Sequence, residues 1–158
     1  MSGASKAPTI VALDAMGGDE GATPLVEGAI QAARTLPVRV LLVGRVHSLR
    51  RLVRHFGYTG SNIEYVPASQ VVRMEDSPAE SLQKKDSTLA VGARLVKEGR
   101  AHALVSAGNT GASLAHCMTS WRRLKGVKRP GIAALMPTAG NPCLIPDVED
   151  ETGGARRG

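Results

Sequence analysis

Short apolar runs alternate with amphipathic segments along most of this 158-residue chain. Continuous apolar runs are typical of strands buried on both faces of a sheet, whereas apolar residues spaced three and four apart predict helices. The runs predict strands at 9–15, 38–43, 62–66, near 104, 131–136 and 143–148. The helices fall between them, with two in a row before the fourth strand. The order β-α-β-α-β-α-α-β-α-β-β predicts an α/β sandwich with a mostly parallel sheet.

Capping residues predict where several helices begin. Thr23 followed by Pro24 is typical of a first turn, and Ser77 with Glu80 has the spacing of a capping box. Ser87 or Thr88 is expected to cap the fourth helix. The fifth helix is predicted to bury one face, made of Leu114, Cys117, Met118, Trp121 and Leu124.

Two glycine-rich turns follow predicted strands. The first runs from 16 to 21 after Asp14, and the second runs from 106 to 111. Glycines let a backbone approach a ligand closely, and a strand-turn-helix unit directs N–H groups at an anion. Parallel sheets bind ligands beyond the carboxyl ends of their strands, so both turns are expected at one edge. The alternative for each is an ordinary capped turn without a ligand.

Two acidic residues of the first turn need a different role. Asp14 and Asp19 would repel an anion, so we expect them to hold loop N–H groups or a basic side chain such as Lys84 or Lys85.

Composition narrows the function classes. The formal charge of +6 favours an acidic partner or substrate, while one Trp, one Phe and two Tyr disfavour stacking on single-stranded nucleic acid. No apolar run reaches transmembrane length, and the apolar run near the N-terminus is too short and too polar for a signal peptide. Cys117 and Cys143 lack a metal-binding or disulfide pattern and are expected to be two reduced thiols in a cytoplasmic protein.

Common catalytic signatures are absent. The chain has no P-loop, no dinucleotide fingerprint and no Gly-x-Ser-x-Gly elbow. Its histidines are scattered, and each is expected to serve packing or solvation rather than catalysis.

Three separated motifs carry a resemblance to a known family. Asp-Ala-Met-Gly-Gly-Asp at 14–19, Lys-Lys-Asp-Ser at 84–87 and Ser-Ala-Gly-Asn-Thr-Gly-Ala at 106–112 occur in this order. In order and spacing they resemble the phosphate acyltransferase family of bacterial phospholipid synthesis, known as PlsX. The resemblance extends from about Thr9 to about Val148.

The resemblance implies a fold and a reaction. It implies an α/β/α sandwich, acting as a homodimer at the cytoplasmic face of the membrane. The reaction converts acyl-[acyl carrier protein] and inorganic phosphate into acyl phosphate and free carrier protein. The product feeds a membrane glycerol-3-phosphate acyltransferase. No cofactor, metal or nucleic acid is expected.

The resemblance and the glycine turns together define the expected site. Asn109 and Thr110 are the expected catalytic residues. The residues expected to bind phosphate or substrate are Asp14, Gly17, Gly18, Asp19, Lys84, Lys85, Ser106, Gly108 and Gly111. The acidic carrier protein is expected at basic residues outside the cleft, namely Arg50, Arg51, Arg54, Arg122, Arg123, Lys125, Lys128 and Arg129. A solvated helix face is the alternative for these basic residues.

The C-terminal part departs from the family pattern. Family members continue with a Leu-Asp-Val-Gly-Ala-Asn-like motif, whereas this chain leaves that pattern around Pro146. We therefore expect a tail at 1–8, an incomplete family domain at 9–148 and a polar tail at 149–158. Such a chain is expected to expose an apolar edge, to associate and to have little activity. The alternatives are a non-enzymatic binding module and a related phosphate acetyl- or butyryltransferase.

Overall fold

The computed structural model describes residues 7–127, 130–138 and 140–147. The chain divides into two compact units, one ending at Arg122 and one beginning at Arg123. The sequence analysis predicts a single domain over 9–148. The first unit contains β1 (Thr9–Asp14), α1 (Ala22–Thr35), β2 (Val38–Gly44), α2 (Val46–His55), β3 (Ile63–Pro67), α3 (Pro78–Gln83), α4 (Thr88–Lys97), β4 (Ala103–Val105) and α5 (Thr110–Trp121). The second contains β5 (Ile132–Met136) and β6 (Cys143–Asp147). The polar tail expected at 149–158 lies outside the described residues.

The four strands of the first unit form a parallel sheet in the order β3-β2-β1-β4. Leu13 of β1 pairs with Leu42 of β2 on one side and with Val105 of β4 on the other. This arrangement confirms the predicted mostly parallel α/β fold. It places the turns that follow β1 and β4 side by side, because the two strands are neighbours and run in the same direction.

Helices cover both faces of this sheet. Leu13, Val40 and Leu42 pack with residues of α1 and α2, including Val26 and Leu49. The alternate strand residues Ala12, Leu41 and Val43 pack on the opposite face with Val91 and Leu95 of α4. Side chains of a strand point alternately to its two faces, so a continuous apolar run is what a covered sheet needs.

Local capping signals set the start of α3 and α4. Ser77 and Glu80 form the predicted capping box, and the Ser87 side chain accepts a hydrogen bond from Ala90 N. The start of α1 differs from the prediction. Gly21, with φ of 72°, occupies the N-cap position in place of Thr23, because the turn needs a left-handed residue there, which glycine adopts without steric cost.

The buried face of α5 also differs from the prediction. Ala112 and His116 are the buried residues, whereas Leu124 lies beyond the helix and is 81% exposed. The helix ends at Trp121 because Arg122 takes a φ of 64°. Trp121 then donates its indole N–H to the carbonyl of Ala93 in α4 at 2.8 Å.

The second unit contains an antiparallel hairpin. Its register pairs Met136 with Cys143 and Ile132 with Asp147. Between these strands Thr138 Oγ1 donates to Asn141 O at 2.6 Å. Both residues belong to the turn predicted between 138 and 142, of which residue 139 lies outside the described residues.

Candidate functional site

Asp14 organises the first glycine turn. It is the last residue of β1, and its side chain is 2% exposed. Its Oδ1 accepts hydrogen bonds from Gly17 N at 2.9 Å and from Met16 N at 3.2 Å. A Cβ on Gly17 would collide with Oδ2 of Asp14, so the turn closes over the carboxylate only with glycine at this position. Asp14 therefore holds loop N–H groups.

The same carboxylate reaches the second glycine turn. Ser106 Oγ donates to Asp14 Oδ2 at 2.9 Å, and Ser106 Oγ accepts from Gly108 N at 3.1 Å. This chain of hydrogen bonds links residues 92 positions apart. One buried carboxylate thus fixes both turns at the carboxyl end of the sheet.

The two turns also touch through their backbones. A Cβ on Gly18 would lie 3.4 Å from the carbonyl oxygen of Ala107, and Gly18 has a φ of 90°. A Cβ on Gly108 would lie 3.5 Å from the Cα of Gly17. The separation is therefore small enough for one small ligand to contact both turns.

Asn109 supports the second turn with both atoms of its side-chain amide. Oδ1 caps α5 by accepting from Ala112 N at 2.9 Å. Nδ2 donates to the carbonyls of Met74 at 3.0 Å and Asp76 at 2.9 Å, with a longer contact to Arg73 O. The side chain of Asn109 therefore attaches the loop at 73–76 to the start of α5. Its catalytic role stays a prediction.

Lys84 also binds this loop and Val71, two residues before it. Its Nζ forms an ion pair with Asp76 Oδ2 and donates to the carbonyl of Val71 at 3.0 Å. The hydrogen bond from Lys84, with help from the N–H of Arg73, holds the pKa of Asp76 below its usual value. The side chain of Lys85, by contrast, is exposed. The two lysines, predicted as a pair, therefore have different surroundings.

The loop at 73–76 is the part of the site that the sequence does not predict. Arg73 N donates to Asp76 Oδ2 at 2.8 Å, which closes the loop on itself. Its one sequence signal is local, since Asp76 directly precedes the capping box at Ser77. Nothing in the pattern of residues indicates that the loop packs against Asn109.

The start of α5 offers donors for an anion. The N–H groups of Thr110 and Gly111 lie in the first turn and have no intrahelical acceptor. The helix dipole adds partial positive charge at this end. Thr110 is exposed, and so is Asp19 in the facing turn. The arrangement can therefore bind a small anion between the turns, although the roles of the individual residues stay predictions.

Two side chains that could take part in chemistry, His116 and Cys117, lie further along α5 than the glycine turn. His116 is buried with Nε2 3.1 Å from the carbonyl of Ser81, and burial lowers its pKa from the usual 6.5. Burial raises the pKa of the Cys117 thiol, which makes the thiolate scarce near neutral pH. Both cysteines are free.

The basic residues predicted to bind a carrier protein fall on separate elements. Arg50, Arg51 and Arg54 are exposed on α2. The Arg50 guanidinium lies 5.3 Å from the ring centroid of Tyr65, and Arg54 Nε donates to Arg50 O. Lys128 and Arg129 lie outside the described residues, so the second cluster is described only in part.

The described residues hold neither a metal-binding cluster nor a membrane-spanning helix. Within 7–127, 130–138 and 140–147, no three His, Cys, Asp or Glu side chains are grouped to hold a metal ion. The helices of the same residues are too short or too polar to cross a bilayer.

Comparison with known proteins identifies the family. The fatty acid synthesis protein family matches residues 9–153. A phosphate acyltransferase of Heliobacterium modesticaldum is 46% identical over 140 residues, which are 87% of this chain and 42% of that protein. One from Koribacter versatilis is 47% identical over 133 residues, covering 83% and 37% of the two chains. The chain thus spans about two fifths of the length of these relatives.

A solved structure shares the fold. EutD phosphotransacetylase from Staphylococcus aureus superposes with a TM-score of 0.58 and 21% identity, covering 87% of this chain and 45% of that one. The similarity confirms the predicted α/β architecture. The sequence relatives confirm the resemblance to phosphate acyltransferases, of which this chain matches one portion. The chain therefore belongs to the fatty acid synthesis protein family.

Proposed function

We propose that this chain is the part of a phosphate acyltransferase that binds inorganic phosphate and directs it at the thioester of acyl-[acyl carrier protein]. The observation that carries the proposal is the hydrogen-bonded chain from Asp14 through Ser106 to Gly108, which holds the two glycine turns together. The names of the relatives support transfer of an acyl group.

The proposed reaction needs positioning more than proton transfer. A phosphate oxygen attacks the thioester carbon, the C–S bond breaks, and the carrier leaves as a thiolate that takes up a proton from water. A substantial fraction of phosphate is already a dianion near neutral pH and a thiolate is a good leaving group, so little acid-base help is required. Binding, alignment and stabilisation of the oxyanion remain for the protein.

Each predicted residue has a role in this proposal. The N–H groups of Thr110 and Gly111, with the Thr110 hydroxyl, bind the phosphate or the oxyanion. Gly17, Gly18 and Gly108 allow the backbone to approach it. Asp14 is a positioning residue, since its carboxylate is buried and bonded to loop donors. Asn109 positions the start of α5 in the same way, and Lys84 acts through the loop at 73–76. Lys85 is exposed, and its charge attracts the anionic substrate, whereas the exposed Asp19 keeps the predicted role of holding a loop N–H group or a basic side chain.

The proposal extends to the partners that the resemblance implies. Acyl carrier protein is acidic and docks on basic residues, for which Arg50, Arg51 and Arg54 of α2 are one candidate cluster and the basic residues after α5 are another. The whole protein acts as a homodimer at the membrane face, where its product passes to a glycerol-3-phosphate acyltransferase. Reversing the charge of Arg50 and Arg51 then raises the KM for carrier protein without changing the KM for phosphate.

Thiol release and phosphate binding test the proposal together. The chain is titrated with phosphate while its thermal stability is followed, with chloride at equal ionic strength as the control. Thiol release is then measured with acyl-[acyl carrier protein] and with acetyl-coenzyme A. A preference for acetyl-coenzyme A favours the acetyltransferase alternative. Binding of phosphate without thiol release assigns the chain a partial site, whereas absence of both contradicts the proposal.

A further inference from the structure

The loop at 73–76 closes at the carboxylate of Asp76. Its Oδ2 accepts a hydrogen bond from the backbone N–H of Arg73 at 2.8 Å and forms the ion pair with Lys84. The backbone N–H of Asp76 donates to the carbonyl of Arg73 at 3.3 Å, so these two residues are joined twice. The Asp76 side chain is 18% exposed. One partly buried carboxylate therefore fixes the shape of the loop.

The loop in turn holds Asn109, the N-cap residue of α5. The Nδ2 group of Asn109 donates to the carbonyls of Met74 at 3.0 Å and Asp76 at 2.9 Å. Its Oδ1 accepts from Ala112 N at 2.9 Å. One amide can make all three bonds only while both loop carbonyls point at its NH₂ group. Opening the loop is therefore expected to loosen Asn109 and, with it, the first turn of α5.

The segment that follows Asp76 also touches the first turn of α5. Ser77 caps α3, and Pro78 is the first residue of that helix. A Cβ on Gly111 would lie 3.4 Å from Cγ of Pro78, so α3 begins against a residue whose N–H group is proposed to bind phosphate. The chain at Asp76 thus adjoins the proposed phosphate site at two points, through Asn109 and through Pro78.

We propose that Asp76 is a positioning residue of the phosphate site: its carboxylate, held by Lys84, shapes the loop that orients Asn109 and the start of α5. The inference rests on the proposed function, which it deepens by adding a residue that acts without touching the substrate. The hydrogen bond from Lys84 holds the pKa of Asp76 below its usual value, so the ion pair is charged near neutral pH.

The charge of Asp76 separates this role from a purely electrostatic effect. A negative charge beside an anion site opposes anion binding. Asp76→Asn removes that charge and leaves the charge of Lys84 uncompensated, so electrostatics alone predicts tighter binding of phosphate. The positioning role predicts weaker binding, because a neutral amide bonds to the ammonium group of Lys84 less strongly than a carboxylate does.

Inorganic phosphate is the probe for this difference in sign. The 158-residue chain is titrated with phosphate at constant ionic strength set with chloride, and its stabilisation against heat gives the dissociation constant. Each variant is compared with its own melting temperature without phosphate, so a loss of stability alone does not change the result. Asp76→Asn is expected to raise the dissociation constant about three- to tenfold, the contribution of one hydrogen bond.

Two further variants control for charge. The double variant Asp76→Asn with Lys84→Met has the net charge of the native pair and is expected to bind phosphate as weakly as Asp76→Asn. Glu75→Gln removes one negative charge from an exposed side chain of the same loop and is expected not to weaken binding. Tighter binding by Asp76→Asn, or native affinity in the double variant, overturns the proposal.

Amide hydrogen exchange tests the positioning without a ligand. Asp76→Asn is expected to speed exchange of the Ala112 N–H, which is bonded to Asn109, about three- to tenfold, whereas Glu75→Gln leaves it unchanged. The Ala90 N–H, bonded to Ser87 Oγ at the start of α4, is the internal reference. Unchanged exchange at Ala112, or an equal rise at Ala90, overturns the proposal.

Failure of this inference is distinguishable from failure of the proposed function. A native chain that phosphate does not stabilise contradicts the proposed function, and with it the role of Asp76 at a phosphate site. Phosphate binding by the native chain, together with native affinity in Asp76→Asn, overturns the role of Asp76 alone.

Discussion

The hydrogen bond between Ser106 and Asp14 is predicted to be the main energetic link between the two glycine turns. Ser106→Ala removes the donor to Asp14 Oδ2 and the acceptor of Gly108 N. A hydrogen bond to a charged group contributes about 1.5–3 kcal/mol and a neutral one about 0.5–1.5 kcal/mol. Ser106 is half-buried, so water replaces part of the loss. We expect the free energy of unfolding to fall by about 1.5–3 kcal/mol.

A double-mutant cycle isolates the link itself. Asp14→Asn keeps an oxygen for the N–H groups of Met16 and Gly17 but places an NH₂ group opposite Ser106. If the bond joins the turns, Asp14→Asn costs less in the Ser106→Ala background, with a coupling energy of about 1–2 kcal/mol. Ser113→Ala is the control partner, because its hydroxyl bonds to Asn109 O and does not contact Asp14.

Urea unfolding followed by the fluorescence of Trp121 measures these energies. The chain contains one Trp, and its indole N–H is bonded to Ala93 within the first unit, which holds the four-stranded sheet. The fluorescence therefore reports on the unfolding of that unit. The unfolding free energies of the variants can be compared only if they depend on urea concentration with the same slope, the m value. A coupling energy below about 0.5 kcal/mol for Asp14 and Ser106, equal to that of the control pair, would refute the reasoning.

Two further predictions concern neighbouring groups. Lys84→Ala should speed amide hydrogen exchange around Asp76, because it removes the ion pair with Asp76 and the hydrogen bond to Val71 O. Lys85→Ala, at an exposed side chain, should not change the exchange. Equal effects of the two substitutions would contradict the different roles assigned to these lysines. Burial lowers the pKa of His116 from 6.5, so below about pH 6.5 the unfolded chain binds more protons and stability falls. Native chain should therefore lose more stability than His116→Gln between pH 7 and pH 5 in urea unfolding, and parallel curves would disprove it.

The sequence by itself determined the features that depend on near neighbours. Capping at Ser77 and Ser87 was predictable because donor and acceptor lie three residues apart. The strands were predictable because apolar runs follow from burial on both faces. The glycine turns were predictable because a backbone turn between strand and helix favours glycine. The role of Asp14 was predicted from its charge, which would repel an anion, and the Gly17 N–H group that it holds lies only three residues away.

Only the tertiary structure decided which distant groups meet. Asn109 bonds to a carbonyl 33 residues away, and Ser106 bonds to a carboxylate 92 residues away. No periodicity encodes either contact. The bond from Ser106 to Asp14 depends on the strand order that makes β1 and β4 neighbours, and the bond from Asn109 to Asp76 depends on the packing of α5 against α3. The predicted face of α5 was wrong for the same reason. The spacing of apolar residues identifies a stripe on α5. Which face of the helix is buried depends on its packing against α3 and α4, and there Ala112 and His116 are the buried residues.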